Sequence, residues 1–426
     1  MRPALPIVTD DTDLAVELAR LGERLGIAVA PRFSASPWAD GDPLAGLLVL
    51  QPPSPEQLLE AARRTAGRLV VGCIGLGDGD VEGLGQDLGI PVLSESRAFL
   101  AALALRDAGE GAAASTVRAL PRAARARFER AGWSGERGRG RLVMLDDVIV
   151  GWEGPDGAAA LPLGEPSDVA EAGAALRRAE LGSLPGRGTV EGVDRERVRE
   201  VLFGPSRALS DPASKSALAP YGVPLPVEEL CTSPSRAAAE AARIGFPVKL
   251  SLASPDLRVW DHPDLVVLGA ANAAAVRDGF RTIVTVAAER DPGARLLGVH
   301  VTAEAAATTY LRLTLRPMGE SWALAELGRT DEAVAPTQLV LPSSFERCRN
   351  ALARIGVTPP RSRSSVDALV DALNRLAVFT SDHRDCVTSV RVDPLAMLVG
   401  GGVEVREVCV AVNDLFERSL AHDSVR

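Results

Sequence analysis

A chain of 426 residues with 46% apolar residues and a mean hydropathy near zero is long enough for two to four domains built around ordinary buried cores. Its net charge of −9 argues against polyanion binding as a whole-chain role, so nucleic acid is not an expected partner. No apolar run approaches the roughly 20 residues of a membrane span, and Asp10, Asp11 and Asp13 stand where a signal peptide would need apolar residues, so a cytoplasmic protein without membrane contact is expected.

Residues 1–107 alternate short apolar runs with helical patterns. Strands are predicted at 7–9, 27–30, 47–50, 69–73 and 90–93. Helices are predicted over 12–25, after the start signal Ser54-Pro55, near 81–88, and after Ser94 as a cap. Strand and helix in alternation imply a doubly wound parallel sheet, so the fold class is α/β. The glycine-rich loop from Gly72 to Asp80 invites a phosphate-loop reading, but Gly75-x-Gly77 lacks the third glycine and no Gly-Lys-Ser/Thr follows. A plain turn between strand and helix is favoured.

Residues 108–190 form a connector. An Arg-rich helix is predicted over 112–130, followed by Arg137, Arg139 and Arg141. A solvated surface is favoured over phosphate or RNA contact, because Trp133 is the sole interleaved aromatic. Segments 142–145 and 148–152 read as a hairpin, 158–163 as a third strand, and the Gly/Pro-rich 182–192 as a linker.

The remainder is organised around 209–267. A helix capped by Asp211, with Pro212 in its first turn, runs to Tyr221 and stops at Gly222. Ser233-Pro234 starts a second helix that Gly245 ends, and Val248, Leu250 and Leu252 then alternate with Lys249 and Ser251 as a strand. Further strands are predicted at 265–268, 296–302 and 310–315, with a helix from Asn272 to about Arg290. An amphipathic helix carries Val366, Leu369, Leu373, Leu376 and Phe379 on one side, and two strands flank the turn at Gly400 to Gly402. The five cysteines (Cys73, Cys231, Cys348, Cys386 and Cys409) are odd in number, with no C-x-x-C spacing, and read as buried thiols.

The succession of a lysine-containing helix, "YGVPLP", an Ala-rich helix, "IGFPV", a strand and "SPDL" resembles the ATP-grasp region of the NDP-forming acyl-CoA synthetases, among them the ADP-forming acetate–CoA ligases. The segment "GIPVLSESRAFLAALALRD" resembles the end of the flavodoxin-like domain that precedes this region in fused members. The resemblance implies a flavodoxin-like domain over 1–107, a connector over 108–190 with a small meander, and two ATP-grasp lobes over 191–292 and 293–426.

It also implies ATP and Mg²⁺ as cofactors, held between the lobes, with several oxygens around the metal. Where the family's strand carries its nucleotide-binding Lys this chain has Ser251. Lys249 lies two residues earlier, on the same strand face but ~7 Å away. Either Lys249 is a displaced phosphate ligand, or its head simply snorkels to solvent. Val301, Thr302 and Ala303 correspond to the adenine-side strand, which acts through its main chain. The family's Glu-Leu becomes Thr309-Tyr310, its glycine turn becomes Glu326 to Arg329, and its Asp-Ile-Asn-Pro becomes Arg391 to Pro394, which leaves Asp393 as the candidate metal ligand. The loop His-Lys-Ser-Asp becomes Val259, Trp260, Asp261 and His262. His262 with Asp261 and Asp264 could suggest a metal, but a surface-loop histidine is favoured.

Members that complete the reaction carry a CoA-binding domain and a phosphorylated histidine. No histidine precedes His262 here, so the relay nucleophile would have to come from a CoA-binding partner chain. Three functions follow as expectations. The first is an ATP-grasp protein with an eroded site, serving as a nucleotide-binding or scaffolding partner subunit. The second is an active acid–CoA ligase (ADP-forming) subunit that uses Lys249 and Asp393 beside a CoA-binding chain. The third is a structural protein without nucleotide. An oligomer is compatible with each.

Overall fold

The computed structural model describes residues 4–25, 28–39, 45–65, 69–74, 79–107, 115–116, 140–145, 148–153, scattered positions from 168 to 179, residue 186, and 188–413 apart from 332–333 and 359–362. The chain divides into two compact units, Met1–Leu184 and Pro185–Arg426.

In the first unit, strands β1 (Leu5–Thr9), β2 (Val29–Phe33), β3 (Gly46–Val49), β4 (Val70–Cys73) and β5 (Val92–Leu93) form a parallel sheet of order β2-β1-β3-β4-β5. That is the flavodoxin-like order expected of a doubly wound sheet. Every residue of β3 and β4 is buried, as parallel strands covered on both faces require. Helices α1 (Thr12–Leu25), α2 (Pro55–Thr65), α3 (Gly79–Asp87) and α4 (Ser96–Asp107) alternate with the strands. Ser54 and Gln57 exchange hydrogen bonds as a capping box at the start of α2. Helix α4 starts at Ser96 rather than directly after Ser94; Glu95, not Ser94, supplies the carbonyl that accepts from Phe99 N.

Residues 115–116, expected inside an Arg-rich helix, are strand β6, which pairs in parallel with β7 (Gly140–Leu145). The predicted hairpin is present, β7 running antiparallel to β8 (Val148–Glu153). The rest of that helix (117–130), Arg137, Arg139 and the 158–163 strand lie outside the described residues.

The second unit holds two sheets. The smaller has order β10-β13-β11-β12, from β10 (Glu228–Cys231), β11 (Val248–Ala253), β12 (Val266–Ala270) and β13 (Gly298–Ala303). Helices α7 (Pro234–Ile244) and α8 (Ala273–Arg290) cover one of its faces, with Leu250, Val299, Val301, Ala238 and Ile283 in that core. The larger sheet has order β16-β15-β14-β17-β19-β9, with β18 on β17: β9 (Arg207–Ala208), β14 (Ala307–Met318), β15 (Trp322–Arg329), β16 (Thr337–Leu341), β17 (Val387–Leu398), β18 (Val403–Val405) and β19 (Val408–Val412). Helices α9 (Phe345–Arg354) and α10 (Arg363–Asp382) pack into its core, as do α5 (Arg195–Leu202) and α6 (Asp211–Leu218), although α5 and α6 precede the smaller sheet in sequence. The apolar stripe of α10, from Val366 to Phe379, is buried as its spacing predicts. Glu326 to Arg329, expected as the remnant of a glycine turn, instead form the end of β15, paired along β14 from Arg329 opposite Leu311 to Glu326 opposite Thr314.

Tyr221 and His383 bind the start of this unit to its end. Gly222, with φ 69°, takes the left-handed backbone that stops the helix, and Arg375 donates to the Tyr221 carbonyl at 3.0 Å. The Tyr221 hydroxyl lies 3.1 Å from Asp382 Oδ2 and 3.0 Å from His383 Nε2, and its ring packs edge-on to Phe379. Burial pushes His383 down to about 4. It is therefore neutral when folded, whereas an unfolded imidazole takes a proton below about 6.5. The stability this site contributes is full above 6.5 and is lost as pH falls through about 4. His383→Gln should reduce the fall in melting temperature over that window, a comparison thermal scans can make directly.

Candidate functional site

Alternation along the strands decides which residues face the space between the two sheets. In the smaller sheet Glu228 lies opposite Thr302, and Thr302 opposite Lys249; two residues on, His300 lies opposite Ser251. These five share the face that α7 and α8 do not cover, while Val248, Leu250, Val299 and Val301 point to the helices. In the larger sheet Val390, Val392, Val408 and Val410 enter the helix-packed core. The opposite parity carries Arg391, Asp393, Glu407 and Cys409.

The polar groups between the sheets are joined by buried charges. Lys249 Nζ lies 2.6 Å from Glu407 Oε1, with Lys249 at 9% exposure and Glu407 at 4%. Lys215, on α6, lies 2.8 Å from Asp211 Oδ2 and 2.8 Å from both oxygens of Glu228. His300 Nδ1 is 3.0 Å from Glu228 Oε1 without hydrogen-bond alignment, and its Nε2 is 3.9 Å from Asp211 Oδ2. Asp211 is the first residue of its helix rather than its cap, and Ser210 in the cap position makes no side-chain bond. The Asp211 carboxylate turns instead to the larger sheet, where Oδ1 accepts from Val408 N at 2.8 Å, and Ser214 Oγ accepts from Val410 N at 3.0 Å. One helix therefore accepts from the β19 backbone through the Asp211 and Ser214 side chains and reaches β10 through Lys215.

Three carboxylates, Asp211, Glu228 and Glu407, face two ammonium groups in this cluster, an excess of one negative charge. Burial, followed by the Glu407 charge, raises Asp211 to about 6. Burial also acts to raise Glu228, but contact with His300 and Lys215 outweighs it and holds Glu228 at about 2. Burial opposes the Lys215 charge, yet Asp211, Glu407 and Glu228 together raise it above the usual lysine range. Asp211, Glu228 and His300 offer three ligand atoms within 4.8 Å of one another, a set with metal-like spacing. Lys215 already supplies the cation there, and a proton on Asp211, whose carboxyl burial raises to about 6, would neutralise the excess that a divalent ion would overshoot. The set fits an ammonium better than a metal.

The residues expected to hold nucleotide and metal are placed as follows. Lys249 is engaged by Glu407 rather than extended to solvent. Ser251 is buried on the same face and carries no charge. Val301 is buried toward α7 and α8, Thr302 is 3.5 Å from Glu228 Oε2, and Ala303 donates its backbone N–H to Val227 O. Asp393 Oδ2 accepts from Arg391 Nη2 at 3.0 Å. Asp264 pairs with Arg290, and His262 donates its backbone N–H to Val259 O. A magnesium ion needs several free oxygens. With Asp393 held by Arg391 and the neighbouring guanidinium charge beside it, this donor set does not fit Mg²⁺.

The sequence reads Asp211 only as a helix cap and singles out none of Lys215, Glu228, His300 and Glu407 as site residues. The i, i+4 spacing of Asp211 and Lys215 was the one local signal of their pairing.

Residues 200–316, which span the smaller sheet and most of β14 of the larger one, match the ATP-grasp domain family. This stretch is an ATP-grasp domain. A 4-hydroxybutyrate–CoA ligase (ADP-forming) of Nitrosopumilus maritimus (strain SCM1) is 29% identical over 121 residues, which are 28% of this chain and 17% of the relative. The subunit beta of acetate–CoA ligase (ADP-forming) I of Pyrococcus furiosus is 31% identical over 94 residues, 22% of this chain and 40% of the relative. The match thus spans less than half the length of either relative. Among solved structures, a Ca. Korarchaeum cryptofilum acetyl-coenzyme A synthetase 1 complex aligns with a TM-score of 0.43 at 20% identity, covering 49% of this chain and 94% of that one. The ATP-grasp region is thus related to those of ADP-forming acid–CoA ligases, and among the described residues no helix is long and apolar enough to cross a membrane.

Proposed function

We propose that this chain is an ATP-grasp subunit of an ADP-forming acid–CoA ligase system whose phosphate-facing side chains are spent on holding the lobes together. It serves as a scaffolding partner rather than as the phosphoryl-transfer subunit. The observation that carries this reading is the Lys249–Glu407 pair, at 2.6 Å and buried. A lysine that neutralises a nucleotide phosphate must be free to leave its resting partner. Here the partner is a carboxylate from the other lobe, so each departure leaves a buried negative charge unpaired. Ser251 brings no second cation, and Asp393 Oδ2 is engaged by Arg391, so these two positions offer neither phosphate nor metal the free charged ligand that the chemistry needs.

The catalytic CoA-binding function would lie in a partner chain of the kind implied by relatives that are named as subunits. Purified chain incubated with acetate, CoA and Mg-ATP is therefore expected to release no ADP above a heat-killed control. Sustained acid- and CoA-dependent release without added protein would overturn the proposal.

A further inference from the structure

His300 is 4% exposed, and each of its ring nitrogens faces a carboxylate. Nδ1 lies 3.0 Å from Glu228 Oε1 of β10, and Nε2 lies 3.9 Å from Asp211 Oδ2 of α6. A neutral imidazole carries one N–H and one lone pair, so it can donate to only one of the two. The other nitrogen then turns its lone pair toward a carboxylate oxygen. Asp211 Oδ2 and both ring nitrogens are buried without an aligned hydrogen bond. Buried polar groups left in that state are costly, and the excess negative charge of the cluster adds to the cost.

One added proton satisfies all three atoms. On Asp211 Oδ2 it would donate to His300 Nε2, leaving Nδ1–H to donate to Glu228, whose carboxylate already accepts from Lys215. The gap of 3.9 Å is about 1 Å longer than a hydrogen bond, so this bond forms as α6 and β13 draw together. Asp211 Oδ1 meanwhile keeps Val408 N of β19. The charged groups packed around the pair are Lys215 on α6, Glu228 on β10, Glu407 before β19, and Lys249 on β11 through its bond to Glu407. Cys409 on β19 also acts on Asp211, but burial raises its thiol, which stays neutral. With the proton bound, two carboxylates balance two ammonium groups.

We propose that Asp211 and His300 share a single proton, and that its uptake strengthens the contact between the smaller and larger sheets as pH falls. The inference rests on the scaffolding reading given above, because side chains that hold the lobes together are what the proton regulates. Burial, the largest cause, raises Asp211 from 3.8 to about 6. The linked stability is therefore full below about 3.8 and is lost as pH rises through about 6. His383 acts in the opposite sense over much of that range, so the test reads the cluster locally.

Lys215 and Lys249 are the only lysines in the chain, and both lie in this cluster. A lysine-specific protease therefore cuts the folded full chain only when the cluster opens. Asp211→Asn keeps an acceptor for Val408 N and balances the charges. At a single alkaline pH it should be cut at least about ten-fold more slowly than wild type, the effect of one unit of linked pKa shift. Nitrogen NMR of the histidine rings in the wild type gives a second reading, with the His300 signals assigned by their loss in His300→Gln. These signals should move with a midpoint of about 6, and the movement should be absent in Asp211→Asn. A His300 ring that does not respond to pH, or responds equally in Asp211→Asn, would overturn the inference and leave the proposed function standing. Asp211→Asn protein cut as fast as wild type would do the same. Wild-type protein cut at both lysines as fast as the urea-unfolded chain would show that the sheets do not meet, and would overturn both.

Discussion

Replacing Lys215 by methionine is expected to destabilise the ATP-grasp region by about 3–5 kcal/mol, the range for removing one partner of a buried ion pair. Among the described residues Lys215 is the sole cation within 2.8 Å of both Asp211 and Glu228, and its side chain is 7% exposed. Methionine fills most of the same volume, so the loss would be electrostatic and not a cavity effect. Two consequences separate these causes. The defect should shrink below about pH 6, where Asp211, already raised by burial, takes up a proton and sheds its uncompensated charge. Adding Asp211→Asn and Glu228→Gln should restore much of the stability, because no unpaired charge then remains. Urea unfolding of the single and triple variants at two pH values measures both; a defect independent of pH and unrelieved by the neutral partners would contradict the account.

Glu407→Ala is expected to cost a similar amount, about 3–5 kcal/mol, since it strands the Lys249 ammonium at 9% exposure. Lys249→Met strands the Glu407 carboxylate in the same way. The two costs describe one interaction, so the double variant should be more stable than their sum by a coupling energy of about 0.5–3 kcal/mol. Because Lys249 belongs to the smaller sheet and Glu407 to the segment between β18 and β19, the coupling also reports on contact between the two sheets. Additive costs would mean that the two side chains do not meet in solution.

Much of this fold is legible in the sequence where the periodicity is local. The strand–helix alternation of the first unit, Ser233-Pro234 at the start of α7, Gly245 at its end and Asn272 as the cap of α8 are short-range signals, and the structure places each where its chemistry demands. Strands β15 and β16 were not predicted. Their sequences, WALAELGR and TQLVL, mix alanine and glycine with few β-branched residues, and their stability comes from pairing within the larger sheet.

The parity of β11 correctly puts Lys249 and Ser251 on one face, and that of β17 puts Arg391 and Asp393 together. What parity cannot reveal is the partner across the cleft. Lys249 and Glu407 stand 158 positions apart, and Asp211 reaches Val408 across 197. A displaced phosphate ligand and an interlobe ion pair look alike until both sheets are in place.

The central claim, that Lys249 is an interlobe tether and not a phosphate ligand, is tested most directly by calorimetric titration with ATP in the presence and absence of Mg²⁺. Wild-type protein should be compared with Lys249→Met and with the double variant Lys249→Met/Glu407→Ala, which leaves no buried charge of the pair behind. The account predicts that any ATP affinity is weak, independent of Mg²⁺ and the same in all three proteins. Micromolar, Mg²⁺-dependent binding by the wild type that disappears in both variants would contradict it.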